Sequence, residues 1–134
     1  MQFIASLVYT TFFLLFTFGY AIFFVVVAPF MPLRARFSMA HAWASVLLFA
    51  LRLLCRLDYR VEGMENLPAE PSIVLMKHSS SWETFAQAAL LPPQAWVLKR
   101  ELTWIPFVGW GIRLLHAIAI DRGAGGAAVR QMIE

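Results

Sequence analysis

Polar and apolar positions are unevenly distributed along the 134 residues: no charged side chain occurs before Arg34. From Phe3 to Phe30 the chain is Phe, Leu, Ile, Val and Ala, broken only by a few Ser, Thr, Tyr and Gly. A helix needs about 20 such residues to cross a bilayer, so the run predicts a membrane helix with length left over for tilt. A cleaved signal peptide would want a basic start and a shorter apolar core; "MQF" followed by this length argues for a retained anchor. Pro29 and Pro32 predict the end of that helix. Arg34, Arg36, Arg52 and Arg56 follow, and this excess of Arg places that side of the membrane in the cytoplasm. A second helix is predicted from a Ser38 cap to about Leu57. His41, Ser45, Arg52 and Arg56 fall near one stripe of it, and "VLLFALRLLC" is apolar. That pattern predicts a helix lying in the interface, because a full span would carry Arg52 deep into lipid. His41 reads as a polar-face residue and not as a ligand.

The texture changes at Asp58. "YRVEG" alternates and predicts a strand, and "MENLPAEP" predicts a loop with Pro68 and Pro71 as breakers. "SIVLMK" is a continuous apolar run of strand length, the pattern of a central strand buried on both faces. "WETFAQAAL" predicts a short helix stopped by Pro92 and Pro93, and "AWVLK" the next strand. "LTWIPFVGWGIRLL" is partly helical, "AIAID" is a further strand, and "GAAVRQMIE" opens a helix. Strands alternating with helices give an α/β class: anchoring helices over 1–57, then the first part of an α/β domain over 58–134. Because the last helix stops in mid-pattern, the chain is expected to be cut short.

Composition sharpens this picture. The chain is 60% hydrophobic, against the roughly 45–50% usual for soluble domains, so a membrane-associated class is favoured. Its net charge of +3, without a dense Lys/Arg run, suits an anionic bilayer face better than nucleic acid. The single cysteine, Cys55, excludes an intrachain disulfide and a Cys-based metal site. No metal site, nucleotide loop or redox cofactor is expected.

The chemistry concentrates in "KHSSSWETF". Ser80-Ser81-Trp82-Glu83 matches the capping box, and on that reading Glu83 is structural and His78 merely ends a strand. The other reading is catalytic. With His78 in the turn and Glu83 in the first helical turn, a carboxylate fixes one imidazole nitrogen and leaves the other as a base. The two roles of Glu83 are compatible. A Ser79, Ser80 or Ser81 nucleophile is disfavoured, because none sits in a G-x-S-x-G elbow.

"HSSSWE" resembles the H-x-x-x-x-D motif of the glycerolipid acyltransferases, in the 1-acyl-sn-glycerol-3-phosphate acyltransferase branch, with Glu83 where most members carry Asp. "LKRELTWIPFVGWGI" resembles the family's K-x-E-L…P-x-x-G block, and "AIAIDR" its I-x-R element. The resemblance covers roughly residues 60–134 and implies an O-acyltransferase. His78 would be its general base and Glu83 the charge partner. The acceptor would be the sn-2 hydroxyl of lysophosphatidate, and the acyl thioester of coenzyme A or acyl carrier protein the co-substrate, without a cofactor or a covalent acyl-enzyme. Lys99 and Arg122 become candidate phosphate contacts. Trp104, Pro106, Phe107, Gly109 and Trp110 form either plain core or an acyl-chain and membrane patch. The implied location is a bacterial inner membrane with the catalytic part on the cytoplasmic side. The family's F-P-E-G-T motif is absent, so a fragment with little activity of its own is expected. A non-catalytic lipid-binding remnant, an acyltransferase for another lysolipid, and a docking component of a larger assembly remain alternatives.

Overall fold

The computed structural model describes residues 2–77, 79–121 and 123. Helix α1 runs Gln2–Val27 and passes into a 3-10 turn, Ala28–Phe30. Pro29 sits in the first turn of that 3-10 segment, where a missing N–H costs nothing but the α-helical ladder cannot continue. Helix α2 runs Leu33–Cys55 and begins at Pro32, whose carbonyl accepts from Ala35 and Arg36 at 2.9 and 3.2 Å. Ser38 is therefore not the cap the sequence suggested. Its Oγ donates to Arg34 O at 3.2 Å, one turn back inside the helix. Pro32, with φ held near −64° by its ring and an extended ψ of 153°, had already opened α2.

α1 and α2 pack as an antiparallel hairpin. Tyr20 Oη donates to Met39 O at 2.8 Å, Trp43 Nε1 to Thr17 Oγ1 at 3.2 Å, and Tyr9 Oη to Leu47 O at 3.5 Å. These bonds satisfy polar groups that hydrocarbon could not. Both helices are long and apolar enough to cross a membrane. The His41 and Arg52 side of α2 is exposed, as its polar stripe predicted, while Ala40, Ala44, Leu47 and Leu48 are buried.

Helix α3, Ser81–Leu90, lies against the hairpin and not beyond its end. Phe85, only 6% exposed, enters between Phe13 of α1 and Trp43 of α2, with ring centroids 5.3 and 5.8 Å away. Ala44, Leu47 and Leu48 complete this core. Strand β1, Val97–Lys99, and strand β2, Ile118–Ile120, form a parallel pair in the register Val97↔Ile118 to Lys99↔Ile120. A 3-10 turn, Arg100–Trp104, and helix α4, Val108–Leu114, connect them. Leu115 closes a second core with Phe24, Ala28 and Ala40 from the bend of the hairpin, flanked by Phe37 and Trp96. The hairpin and the strand pair thus share apolar packing.

The architecture is mostly helical with a small parallel sheet, and two expected strands do not form. Residues 59–63 and 72–77 lie outside any ladder, with Ile73 91% and Leu75 93% exposed. A segment with a strand's pattern becomes a strand only where a neighbour takes its N–H and C=O groups, and neither segment has such a ladder among the described residues. The helix expected within "GAAVRQMIE" lies outside the described residues.

Candidate active site

The N-terminus of α3 is where the polar groups gather. Ser80 has extended backbone, and its Oγ accepts from Trp82 N at 3.3 Å. Glu83 reaches back as the third helical residue: its Oε2 accepts from Ser80 N at 2.7 Å and Ser80 Oγ at 2.9 Å, and its Oε1 from Ser79 N at 3.4 Å. The reciprocal capping box read from the sequence is present. Desolvation pushes the Glu83 carboxyl upward, but bonds from the Ser80 hydroxyl and from the backbone N–H groups of Ser80, Glu83 and Ser79 outweigh it. The pKa is held below its ordinary value. The carboxylate is therefore ionised at neutral pH and fixed in place. His78 lies outside the described residues.

Beside this cap runs an open groove of about 580 Å³, within the range of small-molecule sites. Tyr9, Phe13 and Leu51 of the hairpin form one wall, Trp82 and Phe85 of α3 the other, and Asp58, Ser80 and Ser81 its polar end. The Tyr59 ring stands edge-on to Trp82 at 5.4 Å. Sequence reasoning missed these lining residues. Nothing in the spacing of an anchor helix says which of its aromatics will meet a helix some 70 positions later.

Lys99 ends β1 and is half exposed, with Nζ 3.4 Å from Glu101 Oε1. It stands at the carboxyl end of the parallel pair, the end at which ligands bind in open α/β sheets. Arg100 leans on Asp121, NH2 to Oδ2 at 2.7 Å, joining the two strand ends. Arg122 lies outside the described residues.

The aromatic segment divides. Trp104 and Trp110 are exposed, at 64% and 47%. Phe107 turns inward and packs against Phe18 of α1 and Trp110, at 5.5 and 5.0 Å. It does so from φ 60°, ψ −52°, with Val108 N donating to Pro106 O at 2.7 Å, a strained γ-turn. Gly109 is buried where any Cβ would meet Thr103 O at 2.3 Å. Pro106, Phe107 and Gly109 thus make one tight corner, with Trp104 and Trp110 on its surface.

Comparison with known proteins adds a separate line. The sequence profile of the Acyltransferase family matches residues 58–134. The 1-acyl-sn-glycerol-3-phosphate acyltransferase of Pseudomonas aeruginosa is 40% identical over 118 residues, 87% of this chain and 45% of the relative. Its namesake in Saccharomyces cerevisiae is 34% identical over 73 residues, 54% of this chain and 24% of the relative. The alpha form from Homo sapiens is 29% identical over 119 residues, 87% of this chain and 42% of the relative. The chain spans less than half the length of these relatives. No solved structure matches it.

Proposed function

The chain belongs to the Acyltransferase family, and from that premise we propose that it serves acyl transfer to lysophosphatidate at a membrane surface. The observation that carries the reading is the Glu83 carboxylate, locked by a cap whose Ser80 lines an apolar groove walled by the hairpin. In this reading His78 takes the proton of the sn-2 hydroxyl as that oxygen attacks the thioester carbonyl. Glu83 holds the imidazole in one tautomer and stabilises the imidazolium that forms. The carbon–sulfur bond then breaks, the thiolate of coenzyme A or acyl carrier protein takes the proton, and phosphatidate is released. General-base catalysis of this kind is worth roughly 10²–10⁴ in rate. Lys99 and Arg122 hold the phosphate of the acceptor. The groove takes an acyl chain, and Trp104 and Trp110 lie at the headgroup level. No cofactor takes part.

The hairpin supplies the membrane attachment. α3 packs on it through Phe85 and α4 through Phe107, while Leu7, Leu14, Leu15 and Phe23 of α1 remain exposed for lipid. In this reading the excess of arginine (Arg34, Arg36, Arg52 and Arg56) keeps the catalytic part on the cytoplasmic side, in a bacterium the inner face of the inner membrane.

The test is acyl transfer to lysophosphatidate by the enzyme in vesicles, comparing wild type with His78→Ala and Glu83→Gln. Each variant is expected to lose at least about 10²-fold in kcat while still pelleting with the vesicles. Full activity in either variant overturns the assignment.

A further inference from the structure

Arg36 makes a contact that its role as a topogenic charge does not require. It lies in the first turn of α2, half-buried. Its Nε donates to Met31 O at 3.0 Å, across the bend of the hairpin. Its NH1 donates to Leu114 O at 3.1 Å, on the last residue of α4 and 78 positions away in sequence. A cation on the terminal carbonyls of a helix is favourably placed. Two carbonyls in different elements, held by two nitrogens of one planar group, also define a direction, which a single ammonium cannot do.

The surroundings show what that direction controls. The rest of the seam is apolar: Phe24, Ala28 and Ala40 against Leu115, and Phe37 against Trp96 at 6.1 Å. To that packing the two Arg36 bonds add the directional contacts. Downstream of Leu114 the chain turns sharply through His116, at φ 57°, and enters β2 at Ile118. β2 is paired residue by residue with β1 up to Lys99, and Asp121 is tied to Arg100. Whatever fixes the end of α4 therefore fixes the carboxyl ends of both strands relative to the hairpin.

We infer that Arg36 is a positioning residue: it locks the strand pair to the membrane hairpin and so sets the height of the phosphate-binding end above the lipid surface. The inference rests on the acyl-transfer reading above. An acceptor held in a bilayer presents its phosphate at one depth, so a tilted strand pair misses it. An acceptor free in water adjusts to the protein instead.

The experiment uses the enzyme in phosphatidylcholine vesicles with two acceptors: long-chain lysophosphatidate carried in the bilayer, and short-chain lysophosphatidate dissolved as monomer. Arg36→Lys keeps the charge that orients the hairpin and removes the fork. It is expected to raise KM for the bilayer-borne acceptor at least about tenfold, as loss of uniform binding does. KM for the monomeric acceptor is expected to stay within about twofold of wild type. Arg34→Lys, at an exposed neighbouring arginine, is expected to change neither. An equal loss for both acceptors in Arg36→Lys, the mark of a merely structural residue, overturns the inference, as does no change in either. If Arg36→Lys does not fold, Arg36→Gln repeats the comparison. A wild-type enzyme that acylates neither acceptor removes the activity reading instead. Quenching of tryptophan fluorescence by brominated lipids then decides: a depth altered in Arg36→Lys but not in Arg34→Lys upholds the lock, and an unaltered depth refutes it.

Discussion

Gly109→Ala and Gly111→Ala are chemically identical substitutions, two positions apart on one short helix, and the structure separates them. An added Cβ at Gly109 would stand 2.3 Å from Thr103 O, 2.5 Å from its carbonyl carbon and 2.8 Å from its Cα. Ordinary contact begins near 3.4 Å, so the backbone must open by about 1 Å. Thr103 resists from both directions: its Oγ1 donates to Arg100 O at 2.7 Å and accepts from Arg113 NH2 at 3.1 Å. Overpacking costs about 1–3 kcal/mol, and a clash with pinned backbone belongs at the upper end. Alanine returns about 1 kcal/mol of helix propensity. The net is a loss of about 2 kcal/mol, or about 5–10 °C in Tm for a chain of this size. At Gly111 the nearest atom is Phe24 Cδ1 at 3.3 Å, the edge of a ring that can tilt by a few tenths of an ångström. The same propensity gain then leaves Gly111→Ala neutral or up to about 1 kcal/mol more stable. Thermal unfolding in detergent micelles, followed by tryptophan fluorescence, measures both. Equal Tm values for the two variants, or an unperturbed Gly109→Ala, would refute the reasoning.

Three further expectations accompany it. Ser80→Ala removes the cap of α3, costing about 0.5–2 kcal/mol in a thermal melt, and takes a hydrogen bond from Glu83. The carboxyl of Glu83 is held below its ordinary pKa, so its contribution to stability is complete above the unfolded value and is lost as pH falls through the folded one. In Ser80→Ala that loss moves to higher pH, measured by melts across an acid titration. Phe85→Ala empties the contact between α3 and the hairpin and should cost about 3–5 kcal/mol, with protease cleavage appearing around α3. Arg100→Ala breaks a pair whose side chains are 51% and 35% exposed, so it should change stability by less than about 1 kcal/mol in the same melt.

What the sequence made legible was local. The charge-free run of α1, its stop at Pro29, the capping box from Ser80 to Glu83 and the stop of α3 before Pro92 each rest on neighbours within one or two turns. "AWVLK" and "AIAID" became the two paired strands, trimmed to Val97–Lys99 and Ile118–Ile120. The start of α2 was misread because a proline at the cap position competes with a serine that looks like a better one. "SIVLMK" carries a strand's composition, but pairing is non-local and no ladder forms there among the described residues. The groove was illegible for the same reason: Tyr9 and Leu51 face Trp82 only because Phe85 anchors α3 on the hairpin. The capping role of Glu83 was readable because its partners lie within four positions of it.

The bend of the hairpin contributes side chains to the same core as Leu115 and Trp96. The anchor is consequently not a leash. Exchanging it for a foreign segment of equal greasiness would strip Phe24, Ala28 and Ala40 from the packing that flanks β1 and β2. A transplanted tether would leave Leu115 and Trp96 without the side chains they pack against.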